Sequence, residues 1–103
     1  MAYSKYGAER TVVDGITFDS KKEARRYGEL RLLERAGVIR ELKLQPRFPI
    51  AINGHHVCEY RADFQYEEAG ITVTEDVKGA KTPSYLIKKK LMLAVHGIHI
   101  KET

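Results

Sequence analysis

Apolar and polar residues alternate along several short segments of the chain, a pattern typical of β-strands. In two places such segments flank a dipeptide that favours a two-residue hairpin turn, Asp14-Gly15 and Asn53-Gly54. We therefore predict one hairpin over residues 11–18 and a second in which strand 48–52 is followed by strand 55–64. The same reasoning predicts further strands at 38–44, 71–77 and 98–100.

Two longer segments have the end signals of α-helices. The first runs from about Ser20, a good N-cap, to Ala36, and Gly37 is a good residue to end it. The second follows Pro83, a residue favoured at helix starts, and runs from Tyr85 to about His96. The two helices and the strands together predict a mixed α/β fold.

The length and composition of the chain fit one domain of this class. Its 103 residues predict a single domain with a central mixed β-sheet flanked by helices, in which residues 1–10 form a loose N-terminal arm. Cys58 is the only cysteine, which suits a reducing compartment. We find no apolar signal region and no segment apolar for long enough to span a membrane, so we expect a cytoplasmic protein.

The distribution of charge changes the picture more than the net value of +4. Residues 59–76 contain six acidic side chains and one basic one, and they lie between basic segments at 20–47 and 77–101. An acidic centre between basic segments suits a metal site within a phosphate-binding surface, although solvated helix faces would give the same counts. The candidate nucleic-acid contacts in these segments are Lys21, Lys22, Lys81, Lys88 and Lys89.

Strand geometry brings two acidic residues and a lysine together. Side chains alternate between the two faces of a strand, so Asp76 and Lys78 share one face and Glu75 takes the other. If the segment containing Asp63 pairs with this strand as a hairpin, its carboxylate joins them. Two carboxylates can bind a hard cation such as Mg²⁺, and the lysine can orient an attacking water or stabilise developing charge. A solvated polar face and a simple ion pair are the structural alternatives.

Glu23 is a further candidate with a competing structural explanation. It falls near the middle of the apolar face of the first helix, where a carboxylate needs a partner or a metal to offset desolvation. However, Ser20 and Glu23 also have the spacing of a capping box, in which the glutamate reaches back to the N-cap amide. The sequence leaves both explanations open.

Two other groups carry weaker signals. His55, His56 and Cys58 could suggest zinc, but strand alternation splits them between faces and no second ligand pair follows. Tyr85 could either pack in the core or reach a substrate phosphate, and packing is the simpler explanation.

Four segments of the chain resemble the motifs of the PD-(D/E)XK nuclease superfamily: Val13–Glu23, Leu44–Phe48, Tyr60–Phe64 and Glu75–Gly79. The chain is most similar in appearance to a phage-associated group of small proteins within it. The order of a helix glutamate, a strand aspartate and an acid-x-lysine also resembles archaeal-type Holliday junction resolvases and the endonuclease subunit of some transposition systems. Two departures are Ala62, where the superfamily has proline, and Asp76, where glutamate is commoner. Neither removes a ligand.

The resemblance implies a restriction-endonuclease-like core and a set of roles for the candidate residues. Glu23, Asp63 and Asp76 would be catalytic residues that hold Mg²⁺, for which Mn²⁺ could substitute, and Lys78 would assist the attacking water. We therefore expect a magnesium-dependent DNA endonuclease of the Holliday-junction-resolving type, from phage recombination or DNA processing. It would act as a homodimer on four-way or other branched DNA.

Two alternatives to a junction resolvase remain from the sequence. The first is another DNA nuclease, which processes flaps, nicks or ends or cleaves strands in transposition. The second is a nucleic-acid-binding module without catalysis, in which the carboxylates are structural.

Overall fold

The computed structural model describes residues 9–103, so most of the predicted N-terminal arm, residues 1–8, lies outside the described part. The described residues form two helices and eight strands, which confirms the α/β fold. In chain order these are β1 (Thr11–Val13), β2 (Ile16–Phe18), α1 (Lys21–Arg35), β3 (Ile39–Leu44), β4 (Arg47–Ile52), β5 (His55–Arg61), β6 (Phe64–Glu68), β7 (Ile71–Asp76), α2 (Pro83–His96) and β8 (Ile100–Glu102).

A four-stranded mixed sheet with the order β3-β6-β7-β8 forms the centre of the fold. β6 pairs antiparallel with both β3 and β7, whereas β8 pairs parallel to β7 after the chain has passed through α2. A parallel pair requires such a crossover connection. It places Glu102 of β8 opposite Asp76, the last residue of β7.

The second predicted hairpin is a ribbon, β4-β5, that continues from β3 and β6 but bends out of the sheet. Backbone hydrogen bonds from Gln45 N–H to Asp63 O (2.9 Å) and from Ala62 N–H to Pro46 O (3.1 Å) bridge the bend. Gln45 has a left-handed φ of 51° and Pro46 has no N–H to donate, so the regular ladder is interrupted here. The prediction of one strand over 55–64 is therefore wrong, because β5 ends before the bend and β6 begins after it.

Both predicted helices are confirmed, and the final strand starts later than predicted. Gly97 ends α2 in the left-handed conformation (φ 67°), which glycine adopts without steric cost. Ile98 N–H still bonds to Met92 O of α2, so this residue completes the helix end instead of opening the strand predicted at 98–100. No helix among residues 9–103 is long and apolar enough to cross a membrane.

Two apolar clusters fill the space beneath the two helices. The cluster beneath α1 contains Phe18, Ala24, Tyr27, Leu30, Ile39, Phe64 and Tyr66. The cluster beneath α2 contains Ile50, Tyr60, Ala62, Tyr85, Met92 and Ile100. Each fully buried large apolar side chain contributes about 1.5–3 kcal/mol to folding. The bend between β5 and β6 sends Ala62 and Phe64 to different clusters and leaves Asp63 between them, at the surface of a cleft.

Candidate active site

A cleft of about 750 Å³ lies beside the start of α1, the start of α2 and the end of β7. Its lining includes all four residues that the sequence predicts as catalytic, Glu23, Asp63, Asp76 and Lys78. We call it the acidic cleft, after three of the carboxylates that line it, Glu23, Asp63 and Asp76. The structure thus brings together residues that are up to 55 positions apart in sequence (78 − 23).

Asp63 is held at the bend between β5 and β6, across from the end of β7. Its backbone N–H donates to Glu75 O at 3.1 Å, and its Oδ2 accepts a hydrogen bond from Val77 N–H at 2.7 Å. The next residue, Phe64, pairs directly with Glu75 in the antiparallel ladder. The predicted hairpin pairing between the Asp63 and Asp76 segments is therefore confirmed.

Asp76 is buried at the end of β7, with only 4% of its surface exposed. Its Oδ2 accepts a hydrogen bond from the hydroxyl of Tyr60, and its Oδ1 lies 3.2 Å from Lys78 Nζ. The predicted proximity of Asp76 and Lys78 is correct, although Lys78 lies two residues beyond the strand. Lys78 N–H donates to Thr103 O at 3.0 Å and so continues the parallel pairing past the end of β7.

Lys78 is restrained on several sides. Its ammonium group lies 3.7 Å from the centre of the Tyr85 ring, a cation–π contact, in addition to its ion pair with Asp76. Its backbone carbonyl accepts a hydrogen bond from Lys22 Nζ at 2.8 Å. Tyr85 is buried, as expected for packing, but its ring also faces the predicted catalytic lysine.

Glu23 lies at the start of α1 with 5% of its surface exposed. Its backbone N–H donates to Ser20 Oγ at 3.1 Å, which supplies one of the two bonds of the predicted capping box. Its carboxylate Oε1 is buried and has no hydrogen-bond partner among the described residues. Burial, followed by the negative charge of Asp19, raises the pKa of Glu23 to about 7, against the opposing charge of Arg61. A buried acceptor without a partner is costly, and the cap alone does not satisfy it, so a role for Glu23 at the site stays a prediction.

Burial and neighbouring carboxylates disfavour the ionisation of Glu23 and Asp63. Burial raises the pKa of Asp63 to about 9, with further contributions from hydrogen bonding and charge at Asp76 and from the charge of Glu23. Like charges close together in a partly dry site cannot all ionise without a compensating cation. The acidic cleft therefore has the electrostatic character of a cation site.

The donor set fits a hard divalent cation without being a ready-made cage. No three His, Cys, Asp or Glu side chains among residues 9–103 form a preassembled metal-binding group. In this arrangement Asp76 is drawn to Tyr60 and Lys78, and Asp63 to the backbone of Val77. Mg²⁺ needs only one or two protein carboxylates and retains water molecules. The assignment of all three carboxylates as ligands remains a prediction.

The five predicted nucleic-acid-binding lysines divide into two groups. Lys21, Lys22 and Lys88 line the acidic cleft. Lys81 and Lys89 instead form ion pairs with Glu102, at 3.0 and 3.1 Å. The first group also has contacts within the protein: Lys21 pairs with Glu9 at 3.1 Å, and Lys22 donates to the backbone carbonyl of Lys78. Contact of these lysines with a nucleic acid stays a prediction.

Sequence reasoning missed Tyr60 and Arg61 as residues of the site. Strand alternation puts Tyr60 on the face opposite Asp63, and only the bend between them brings both to Asp76. Arg61 lines the acidic cleft and forms an ion pair with Asp19 at 3.2 Å. Their position within the motif segment Tyr60–Phe64 was the one available signal.

Comparison with known proteins identifies the family. A family model described as "Protein of unknown function (DUF1064)" matches residues 3–101. The chain therefore belongs to the DUF1064 family. No curated protein matches it. The description assigns no activity, so function has to be argued from the acidic cleft.

Proposed function

We propose that this DUF1064 protein is a magnesium-dependent DNA endonuclease of the Holliday-junction-resolving type. The observation that carries the proposal is the convergence of Asp63, Asp76 and Lys78 with the unpartnered carboxylate of Glu23 in one cleft. A carboxylate group for a divalent cation beside a restrained lysine suits phosphodiester hydrolysis.

The side chains of the acidic cleft divide the chemical work between them. Asp63 and Asp76 would hold Mg²⁺ or Mn²⁺, and Glu23 would add its free Oε1 directly or through a water. When bound, the cation supplies charge that polarises the scissile phosphate and lowers the pKa of a water. Lys78, held 3.2 Å from Asp76, would donate hydrogen bonds to the attacking water or to the phosphoryl oxygens on which negative charge develops.

The sheet topology supports the resemblance on which the enzyme class depends. After α1 the chain forms the three antiparallel strands of the central sheet, interrupted by the β4-β5 ribbon, and it then passes through α2 so that β8 pairs parallel to β7. The acidic residues lie where this sheet meets the starts of both helices. Such an arrangement is in keeping with the restriction-endonuclease-like core that the sequence motifs imply.

A branched DNA substrate and a homodimer are the finer parts of the proposal. Lys21, Lys22 and Lys88 would contact phosphates on either side of the scissile bond. Symmetric cutting of a four-way junction requires two sites, which a two-fold homodimer supplies. An exposed apolar strip on α2 supports such a dimer: Leu86, Ile87 and Leu93. We also propose a phage protein in the bacterial cytoplasm, which suits a DNA substrate and the lone Cys58.

The test compares a labelled synthetic four-way junction with a matched linear duplex, in Mg²⁺ and in EDTA. We expect symmetric, metal-dependent cuts in the junction, which Asp63→Ala and Lys78→Ala abolish. Glu67→Gln, which alters an ion pair on β6 with Arg40, is the matched control. Circular dichroism of each variant establishes that the fold is retained.

Three other outcomes of this assay would each contradict a different part of the proposal. Equal cleavage of both substrates would keep a nuclease and remove junction selectivity. Cleavage that survives Asp63→Ala would place the chemistry elsewhere. Salt-sensitive binding with no cleavage of either substrate would favour a non-catalytic nucleic-acid-binding module.

A further inference from the structure

Glu102 contacts the underside of the acidic cleft without lining it. It is the last residue of β8 and pairs in register with Asp76 of β7. Its Oε2 accepts a hydrogen bond from the hydroxyl of Tyr85 at 2.6 Å. The same Tyr85 ring lies 3.7 Å from Lys78 Nζ, so a chain of direct contacts joins Glu102 to the lysine.

A lysine needs such support if it is to act at one defined place. Its flexible four-carbon stem carries a point charge, and the side chain loses much rotamer freedom when it is fixed. Lys78 also lies two residues beyond the end of β7, where one backbone hydrogen bond, from its N–H to Thr103 O, continues the pairing. The Tyr85 ring and the Asp76 carboxylate are the two groups recorded against its ammonium. Whatever fixes the ring therefore fixes one side of the lysine.

We propose that Glu102 is a positioning residue for Lys78, acting through the hydroxyl and ring of Tyr85. The inference rests on the proposed function in one respect, that Lys78 acts in phosphodiester cleavage. β8 then contributes to the site twice. Its carboxylate orients the lysine side chain through Tyr85, and Thr103, the residue after β8, accepts the backbone N–H of Lys78 at 3.0 Å.

Two further contacts fix the Glu102 carboxylate itself. Lys81 Nζ lies 3.0 Å from its Oε1 and Lys89 Nζ lies 3.1 Å from its Oε2. With the hydroxyl of Tyr85, these are three donors around one carboxylate. A fixed, charged acceptor makes a stronger hydrogen bond than a neutral one, so it holds the tyrosine ring more firmly.

The kinetic test separates positioning from substrate binding. Tyr85→Phe removes only the hydroxyl, whereas Glu102→Ala removes the acceptor and also frees Lys81 and Lys89. We expect kcat on the cleaved DNA to fall about 10-fold in both variants, because small displacements of a catalytic group are costly. KM should stay unchanged in Tyr85→Phe and should fall in Glu102→Ala, where the two lysines become available to phosphates.

The double variant Tyr85→Phe/Glu102→Ala shows whether the two residues act as one unit. If they do, kcat of the double variant equals that of either single variant. If the losses multiply to about 100-fold, the residues act independently and the inference is overturned. Glu67→Gln on β6 is the matched control for a lost carboxylate and should leave kcat unchanged.

A second readout does not depend on activity. The ε-methylene resonances of Lys78, assigned with Lys78→Arg, should carry a ring-current shift because the lysine lies over Tyr85. Tyr85→Phe keeps an aromatic ring at this position. The Lys78 resonance therefore moves in this variant only if loss of the hydroxyl displaces that ring. We expect the Lys78 signal to move toward its free-lysine position in Tyr85→Phe and in Glu102→Ala, and not in Glu67→Gln.

The two readouts distinguish failure of this inference from failure of the proposed function. A Lys78 resonance unchanged in both variants would overturn the positioning role, whatever the enzyme does. A resonance that moves in both variants, when the wild type cleaves no DNA, would support the contact chain and overturn the nuclease proposal. A resonance that moves together with a fall in kcat supports both.

Discussion

Glu75 and Asp76 are neighbours on β7, yet their surroundings differ completely. Glu75 has no exposed surface, and its carboxylate is surrounded by hydrogen-bond donors. Arg26 donates to it twice, from Nε at 2.7 Å and from a terminal nitrogen at 2.9 Å. The hydroxyls of Tyr66 and Thr103 donate to the same carboxylate, at 2.7 and 3.3 Å.

Asp76 faces the opposite side, where negative charge is in excess. It shares the acidic cleft with Asp63 and Glu23, and the basic side chain recorded against it is Lys78. The contrast extends to proton affinity. Although burial opposes it, the hydrogen bonds from Arg26 and Tyr66 keep the pKa of Glu75 below its ordinary value, whereas that of Asp63 rises to about 9.

The difference separates a structural acid from candidate functional ones. A buried carboxylate with a full set of donors stabilises the fold without need of a ligand. Buried carboxylates gathered without matching donors lower stability, and such sites persist where a ligand or a reaction needs them. The following predictions exchange or remove the features that make the two faces of β7 different.

The largest expected effect is the loss of cleavage when the charge of Asp76 is removed. Asp76→Asn keeps the size of the side chain but weakens both the cation site and the partner of Lys78. We expect DNA cleavage to fall about 10³-fold, a loss typical of removing one electrostatic group from a catalytic site. Cleavage rates in Mg²⁺ measure it. A variant within about 10-fold of the wild type would remove Asp76 from the chemistry.

Removing the charge on the other face of β7 should instead lower stability. Glu75→Gln removes the buried anionic partner of Arg26, whose side chain is 21% exposed, and leaves it only the more exposed Glu29. We expect the free energy of unfolding to fall by about 3 kcal/mol, since breaking a buried pair leaves a desolvated charge. Urea unfolding measures this change. The remaining folded protein should keep metal-dependent cleavage, and unaltered stability would mean that the Arg26 pair contributes little.

Stability of the metal-free protein should decrease as pH rises through the range in which the acidic cleft ionises. The folded protein holds protons on Glu23 and Asp63 up to pKa values of about 7 and 9, against ordinary values of 4.5 and 3.8. Between these limits the folded state binds more protons than the unfolded state, so raising the pH favours unfolding. We expect the free energy of unfolding to fall by a few kcal/mol between pH 5 and pH 9.

Thermal or urea unfolding at each pH, with and without Mg²⁺, measures this dependence. Asp63→Asn removes one of the two titrating groups and should flatten the curve and raise stability at pH 8. Added Mg²⁺ should stabilise the wild type most at high pH, where the carboxylates are free to bind it. Equal pH dependence of stability in the wild type and in Asp63→Asn would show that folding does not raise the pKa of this carboxyl.

The smallest effect is expected at an acid outside this comparison. Glu67 pairs with Arg40 at 3.3 Å, and the arginine side chain is 73% exposed. Glu67→Gln should change the free energy of unfolding by less than about 0.5 kcal/mol, because exposed ion pairs contribute little. The same urea titration measures it. A larger change would make this variant unsuitable as the control for the cleft.

The sequence was sufficient where the signals are local. The Asp14-Gly15 and Asn53-Gly54 turns both adopt positive φ at each residue and close their hairpins as predicted. The helix ends follow from Ser20 and Gly97. The shared direction of Asp76 and Lys78, away from Glu75, follows from strand alternation alone.

What the sequence could not give depends on partners far along the chain. The bend that exposes Asp63 is produced by Gln45 and Pro46 on the opposite strand. The contacts of Glu102 depend on the parallel register of β8 with β7, which no local pattern encodes. Whether Glu23 is only a cap was also undecidable, because the unpartnered state of its Oε1 is a property of the packed cleft.

Calorimetric titration of Mn²⁺ and Mg²⁺ into the metal-free protein tests the central claim most directly, since it needs no substrate. The account predicts divalent-cation binding by the wild type that Asp63→Asn and Asp76→Asn abolish. Glu75→Gln, measured where it is still folded, and Glu67→Gln should retain it. Absence of binding in the wild type, or equal binding in the two cleft variants, would contradict the claim that the cleft beside Asp76 is a metal site.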